Sequence, residues 1–159
     1  MLPVRKIILI IMNPELARKY GYPLEIHRVV TEDGYNLELH RIMGKQSYGE
    51  INFGGGKTSI LLLHGLAGSS ADWILMGPGK ALGYLLADAG YDVWLGNNRG
   101  NIYSRNHTSL SPENLDFWNF SYHELGIYDL PAIIDYILYK TSRRKLCYSL
   151  TLFLTISKM

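Results

Sequence analysis

Ile60-Leu61-Leu62-Leu63-His64-Gly65-Leu66-Ala67-Gly68-Ser69-Ser70 is an unbroken apolar run that stops abruptly in a loop of small residues. An apolar run without alternation, bounded by loops, suits a β-strand buried on both faces. Tyr91 to Leu95 reads as a second strand of the same kind. Between them Leu82, Leu85, Leu86 and Ala89 recur at i, i+3, i+4 and i+7, which predicts a helix with those four residues on its apolar face and Gly90 as its terminator. Upstream, Leu24 to Val30 and Leu37 to Ile42 flank a polar stretch containing Asp33-Gly34, a hairpin signal. Downstream, Pro131 is suited to the first turn of a helix lined by Ile133, Ile134, Ile137 and Leu138, and Leu146 to Ile156 is β-prone. Strands alternating with helices predict an α/β fold: an N-terminal hairpin leading into a mainly parallel sheet with flanking helices.

The chain has 159 residues, 47% hydrophobic and 19% charged, the composition of globular protein rather than disorder. Its net charge of +2 lacks the clustered basic face expected of a nucleic-acid binder. One cysteine excludes an internal disulfide framework and a thiolate-rich metal site. The distribution is informative: residues 136–159 hold five cations, no acid and Cys147, whereas every glycine lies at or before Gly126. The remainder carries −3, and composition breaks near Tyr139. Arg5 and Lys6 precede a six-residue apolar run, shorter than the roughly 7–15 residues of a secretory h-region, so residues 1–12 read as an apolar arm or degenerate signal. Neither this run nor Leu146 to Ile156 reaches the about 17–25 residues of a membrane span.

Two glycine motifs are decoys. Gly54-Gly55-Gly56-Lys57-Thr58 lacks the P-loop's first glycine, where Ile51 stands, and leads into a strand instead of a helix. Gly77-Pro78-Gly79 has Leu82 at the third glycine position of a dinucleotide fingerprint. No two of His27, His40, His64, His107 and His123 have the spacing of a helical metal pair, so no metal or cofactor is expected. His64 stands apart because it ends a buried strand, where open α/β sheets place their sites; orienting the loop suits it better than general-base work.

Several ordered motifs resemble the animal acid lipases, the group of lysosomal acid and gastric lipases. They are Asn13-Pro14-Glu15, Tyr20-Gly21-Tyr22-Pro23, Val30-Thr31-Glu32-Asp33-Gly34-Tyr35, Leu63-His64-Gly65-Leu66 and Asp72-Trp73. Gly90 through Asn97, Arg99-Gly100-Asn101, Tyr103-Ser104-Arg105, Phe117-Trp118 with Phe120-Ser121, and Tyr128 through Ala132 continue the series. The resemblance implies a partial α/β-hydrolase fold over residues 13–141, with 142–159 a divergent basic and apolar tail. It further implies cofactor-free hydrolysis of neutral lipid esters, such as triacylglycerols or cholesteryl esters, through an acyl-enzyme. The family's oxyanion donor maps to the backbone N–H of Leu66, in a loop with His64 and Gly65, where small residues let substrate approach a fixed donor. The Asn97 to Asn101 loop is assigned packing and turn formation, and the Trp118 region an aromatic anchor.

The pattern then breaks. The family's Gly-His-Ser-Gln-Gly nucleophile elbow would place its serine at Leu152 and its glycines at Leu150 and Leu154, and no G-x-S-x-G occurs anywhere. The family's acid and histidine are absent as well, so none of the triad is present. Ser69 and Ser70 with Asp72 and His64 are crowded locally, but such crowding is common in turns and caps. The expectation is a truncated lipase chain, inactive as these 159 residues; the alternative is a non-catalytic lipid- or protein-binding module derived from one. Asn106-His107-Thr108 and Asn119-Phe120-Ser121 are formal N-glycosylation sequons, in keeping with the secreted or lysosomal location the resemblance implies. The uncharged stretch Leu146 to Ile156 is expected to act as an exposed edge and promote self-association.

Overall fold

The computed structural model describes residues 15–42, 57–65 and 67–150. The expected N-terminal arm, the Gly54–Gly56 decoy, Leu66 and the tail beyond 150 lie outside the described residues. A short helix α1 (Glu15–Lys19) leads into the hairpin β1 (Leu24–Val30) and β2 (Asn36–Ile42). Next come β3 (Ser59–Leu63), a 3₁₀ turn (Ser70–Trp73), α2 (Leu82–Asp88) and β4 (Asp92–Gly96). The chain ends through a second 3₁₀ turn (Leu115–Trp118), α3 (Tyr122–Glu124), α4 (Leu130–Thr141) and β5 (Cys147–Leu150).

One sheet runs β1-β2-β4-β3-β5. β4, β3 and β5 are parallel, while β2 joins β4 antiparallel, so the predicted parallel block carries the hairpin at one end and the sheet is mixed. Alternate residues of each central strand serve opposite faces, the period of two inherent in a pleated strand. Leu62, Val93 and Leu95 pack with Tyr84 and Ala87 of α2, whereas Leu61, Leu63 and Trp94 pack with Ile133 and Ile137 of α4. Both faces are covered by helices, and the unalternated apolar stretches at 60–63 and 93–95 follow from that; the second strand is Asp92–Gly96, and the expected Tyr91 stands outside it at 37% exposure.

One further expectation needs correction and two gain detail. In α2 the buried residues are Gly83, Tyr84 and Ala87, while Leu82 and Leu85 face outward at 40% and 43% exposure. The periodicity located the helix but chose the wrong face, because Gly83 brings its backbone against Trp73 and Ile74. A Cβ on Gly83 would stand 2.9 Å from the Trp73 carbonyl oxygen. Gly90 does terminate α2: at φ +88° its N–H donates to Ala87 and that of Tyr91 to Leu86, a Schellman pair.

Pro131 lies in the first turn of α4, as expected, and the helical path leading into it starts further upstream. Ser121 caps α3 in a capping box with Glu124, and a π-helical turn over Leu125–Asp129 carries the chain into α4. Pro131 therefore sits near the start of α4 but not of the helical run. Finally, the Trp118 region packs into the core as expected, through Phe117, which is fully buried, while Trp118 is 36% exposed and lies edge-on against it.

Candidate functional site

The parallel strands β3 and β4 end side by side, Leu63 opposite Gly96, and their following loops form one polar cluster at that edge of the sheet. This is where open α/β sheets place ligands. His64 leaves β3 buried. Its Nδ1–H donates to the Gly65 carbonyl (2.7 Å), and its Nε2 accepts from the Asn98 backbone N–H (3.1 Å) and Asn101 Nδ2 (3.0 Å). Both ring nitrogens are thus committed to the two loops, and Nε2 has no lone pair free for a substrate proton. Burial pushes the imidazole below its ordinary value, against the pull of the Gly65 carbonyl.

The loop then turns tightly. Gly68 N–H donates to the Gly65 carbonyl (3.1 Å), Ala67 takes φ +59°, and a Cβ on Gly68 would meet Asp72 Oδ2 at 2.3 Å. A side chain there would displace the Asp72 carboxylate from the cap it makes. Ser69 caps the 3₁₀ turn: its Oγ accepts from Ala71 N–H (3.2 Å), and its own N–H donates to Asp72 Oδ2 (3.3 Å). Ser70 N–H donates to Asn97 Oδ1 (2.9 Å), and Ser70 Oγ bonds Nδ1 of His40, not His64. Ser69, Asp72 and His64 therefore act as cap and loop anchors, and no Ser-His-Asp chain joins them.

The loop after β4 is equally committed. Asn97, fully buried, receives Asn101 Nδ2 (2.8 Å) and donates to the Glu38 carbonyl (3.0 Å), while Ser104 Oγ donates to the Asn97 carbonyl (2.9 Å). Arg99 is buried between two carboxylates. It forks onto Asp33 (2.6 and 2.9 Å) and donates to Asp129 through Nε (2.8 Å) and Nη2 (2.6 Å), with its guanidinium 3.9 Å from the Tyr35 ring centroid. Burial raises Asp33, but the Arg99 and Thr31 hydrogen bonds outweigh it and hold the carboxyl below its ordinary value. For Asp129 burial wins, and its carboxyl is lifted despite the same guanidinium. Sequence reading marked this loop as a turn and missed the charge chemistry; an arginine in a glycine- and asparagine-rich loop was the available signal.

Leu66, the sequence-expected oxyanion donor, lies outside the described residues, although Gly65 and Ala67 on either side are placed at this edge. Asn106 and Asn119 are both exposed on the segment following the β4 loop. Among the described residues no group of three His, Cys, Asp or Glu could hold a metal ion, and no helix is long and apolar enough to cross a membrane.

The His64 assignment carries a pH consequence. With its folded pKa below the ordinary 6.5, the unfolded chain binds more protons between the folded value and 6.5. The stability contributed by neutral His64 is complete above about pH 6.5 and is lost as pH falls toward the folded value. Thermal unfolding is expected to show a midpoint that drops between about pH 7.5 and about pH 5, and His64→Asn, which cannot titrate, should lose most of that slope.

Comparison with known proteins follows the same division of the chain. Residues 13–77 match the family model described as a partial α/β-hydrolase lipase region, and residues 58–148, more than half of the chain, match that of the α/β hydrolase fold. Lipase 1 of Drosophila melanogaster is 55% identical over 135 residues, covering 85% of this chain and 28% of its own length. Human gastric triacylglycerol lipase is 49% identical over 131 residues, 81% of this chain and 32% of the relative. Human lipase member M is 46% identical over 134 residues, 84% and 31% respectively. The chain thus spans about a third of the length of these curated relatives. Among solved structures, an esterase of Pyrococcus furiosus superposes with a TM-score of 0.55 at 16% identity, covering 86% of this chain and 44% of that one, a likeness of fold.

Proposed function

We propose, from the premise that the chain belongs to the α/β-hydrolase fold family and within it to the animal acid lipases, that these residues supply the oxyanion-loop portion of a neutral-lipid ester hydrolase. The observation that carries the reading is the loop from His64 to Ser70. It is held by hydrogen bonds at both ends, part-buried at His64 and buried at Ser70, before any substrate arrives, as a donor meant for developing negative charge must be. Leu66, with His64 and Gly65 beside it, is the residue whose backbone N–H would face the acyl oxygen. Triacylglycerols are the favoured substrate class, after the activity for which the gastric relatives are named.

The 159 residues by themselves are proposed to turn over no ester. Acyl transfer needs an activated nucleophile beside the oxyanion donors. The sequence contains no G-x-S-x-G, and the two serines nearest the loop are consumed by the cap and by His40. Secretory or lysosomal residence belongs to the same proposal. Both sequon asparagines, Asn106 and Asn119, are exposed, as glycan acceptors must be. Self-association along the β5 edge is proposed on the exposure of Cys147 and Tyr148 there.

Hydrolysis of p-nitrophenyl esters tests the reading. Residues 1–159 are expected to give the enzyme-free background rate. Joined after Tyr148 to the part of Drosophila Lipase 1 that follows its matched segment, they are expected to hydrolyse the ester. Turnover by residues 1–159 that disappears in Ser69→Ala or Ser70→Ala would overturn the inactivity, and a silent fusion would overturn the oxyanion assignment.

A further inference from the structure

We infer that Glu38, His40 and Ser70 form a positioning relay in which Glu38 orients His40 and His40 fixes the loop that carries the oxyanion donor. The identity of that loop rests on the function proposed above. His40 Nε2 lies 3.0 Å from Glu38 Oε1, and its Nδ1 lies 2.8 Å from Ser70 Oγ. A carboxylate only accepts, so Nε2 carries the proton and Nδ1 accepts from the Ser70 hydroxyl. Ser70 and His40 are 1% and 3% exposed. The order acid, histidine, serine is that of a hydrolase triad, but the serine is sealed from substrate and its proton already points at the imidazole.

The relay makes sense of the sheet order. β2, which bears Glu38 and His40, does not neighbour β3, which leads into the loop; β4 lies between them. The hydrogen bonds pass over the end of β4, where Asn97 ties the same two partners through the backbone, accepting from Ser70 N–H and donating to the Glu38 carbonyl. Ser70 is thus gripped twice, by its N–H through Asn97 and by its hydroxyl through His40. Ser104 closes the bracket, accepting from Glu38 N–H (2.9 Å) and donating to the Asn97 carbonyl. The Tyr103 ring stands edge-on to His40 at 4.8 Å and covers it. A histidine that only filled the core would require none of these partners to lie on the loop.

Two readouts on the 159-residue chain test the relay. In wild type, the imidazole nitrogen resonances of His40 should show Nε2 protonated and Nδ1 bare. Glu38→Ala should mix the tautomers, and Glu38→Gln, which keeps an acceptor oxygen, should hold them near wild type. In native-state hydrogen exchange, Ser70→Ala should speed the amides of Gly68, Ser70, Ala71 and Asp72 by about five- to tenfold, the size of one buried hydrogen bond, and leave Leu37 and Leu39 unchanged. A protonated Nδ1 in wild type would overturn the relay. So would loop amides indifferent to Ser70→Ala, or acceleration spread evenly across β1 and β2, the mark of a merely global role. Neither readout uses an ester, so failure here leaves the lipase reading standing, and failure of the ester assay leaves these results intact.

Discussion

Arg99→Met is expected to lower the free energy of unfolding by about 3–5 kcal/mol, enough to remove a large part of a small domain's stability. The guanidinium is 1% exposed and answers two carboxylates that stand 66 and 30 residues away in sequence. Removing it leaves Asp129, itself 2% exposed, a buried acid that has lost its cation and keeps the backbone N–H of residue 99 (3.3 Å), and Asp33 with Thr31 and solvent. The loss exceeds the worth of the pair, since most of it is the desolvation of the abandoned charge. Arg99→Met combined with Asp129→Leu should therefore recover much of the single-variant loss. Urea unfolding followed by circular dichroism measures both; a single variant within about 1 kcal/mol of wild type would mean that solvent already screens the site.

Trp94→Ala is expected to cost a similar amount, about 3–5 kcal/mol, by a different mechanism. Trp94 is the largest fully buried side chain and sits on the central strand β4. Its ring packs with Leu61, Leu63 and Ile137, stacks at 4.7 Å from His27, and lies 5.0 Å beneath the Arg41 guanidinium. Its Nε1–H also donates to Asp92 Oδ2 (2.9 Å). Truncation opens a cavity and strips one donor from a buried carboxylate that retains Ser59 and Arg41. Trp94→Phe should restore most of the packing and leave only the hydrogen-bond loss, about 1 kcal/mol. Equal losses for alanine and phenylalanine would show that Asp92, and not the ring's volume, dominates.

Local pattern predicted the elements well where geometry is local. The hairpin pairs Leu24 with Ile42 about the Asp33-Gly34 turn, and the stretches 60–63 and 93–95 lie in strands, Ser59–Leu63 and Asp92–Gly96, because they are apolar without alternation. The α2 helix shows where pattern fails. Its leucines repeat at helical spacing, yet contact with Trp73 and Ile74 selected the face with Gly83, since a helix docks by its closest-approaching side and not by its greasiest. The start of the last helical run was missed because Pro131 is a conspicuous signal, whereas the Ser121–Glu124 capping box ten residues earlier is a quiet one.

Sequence by itself determined the order of the main strands and helices and the doubly buried strands of an α/β fold. Tertiary structure alone decided what the polar residues do. His40, Ser70, Asn97, Arg99 and Asp129 carry no periodicity, and the bonds from Ser70 to Asn97 and His40 and from Arg99 to Asp129 and Asp33 span 27 to 66 residues. Such pairings arise from the sheet order, which sets β2 beside β4 and not beside its successor β3. Burial then obliges each polar group to find a partner among whatever that order brings within reach. The same obligation turned the serines and the histidine nearest the loop from candidate catalysts into its supports.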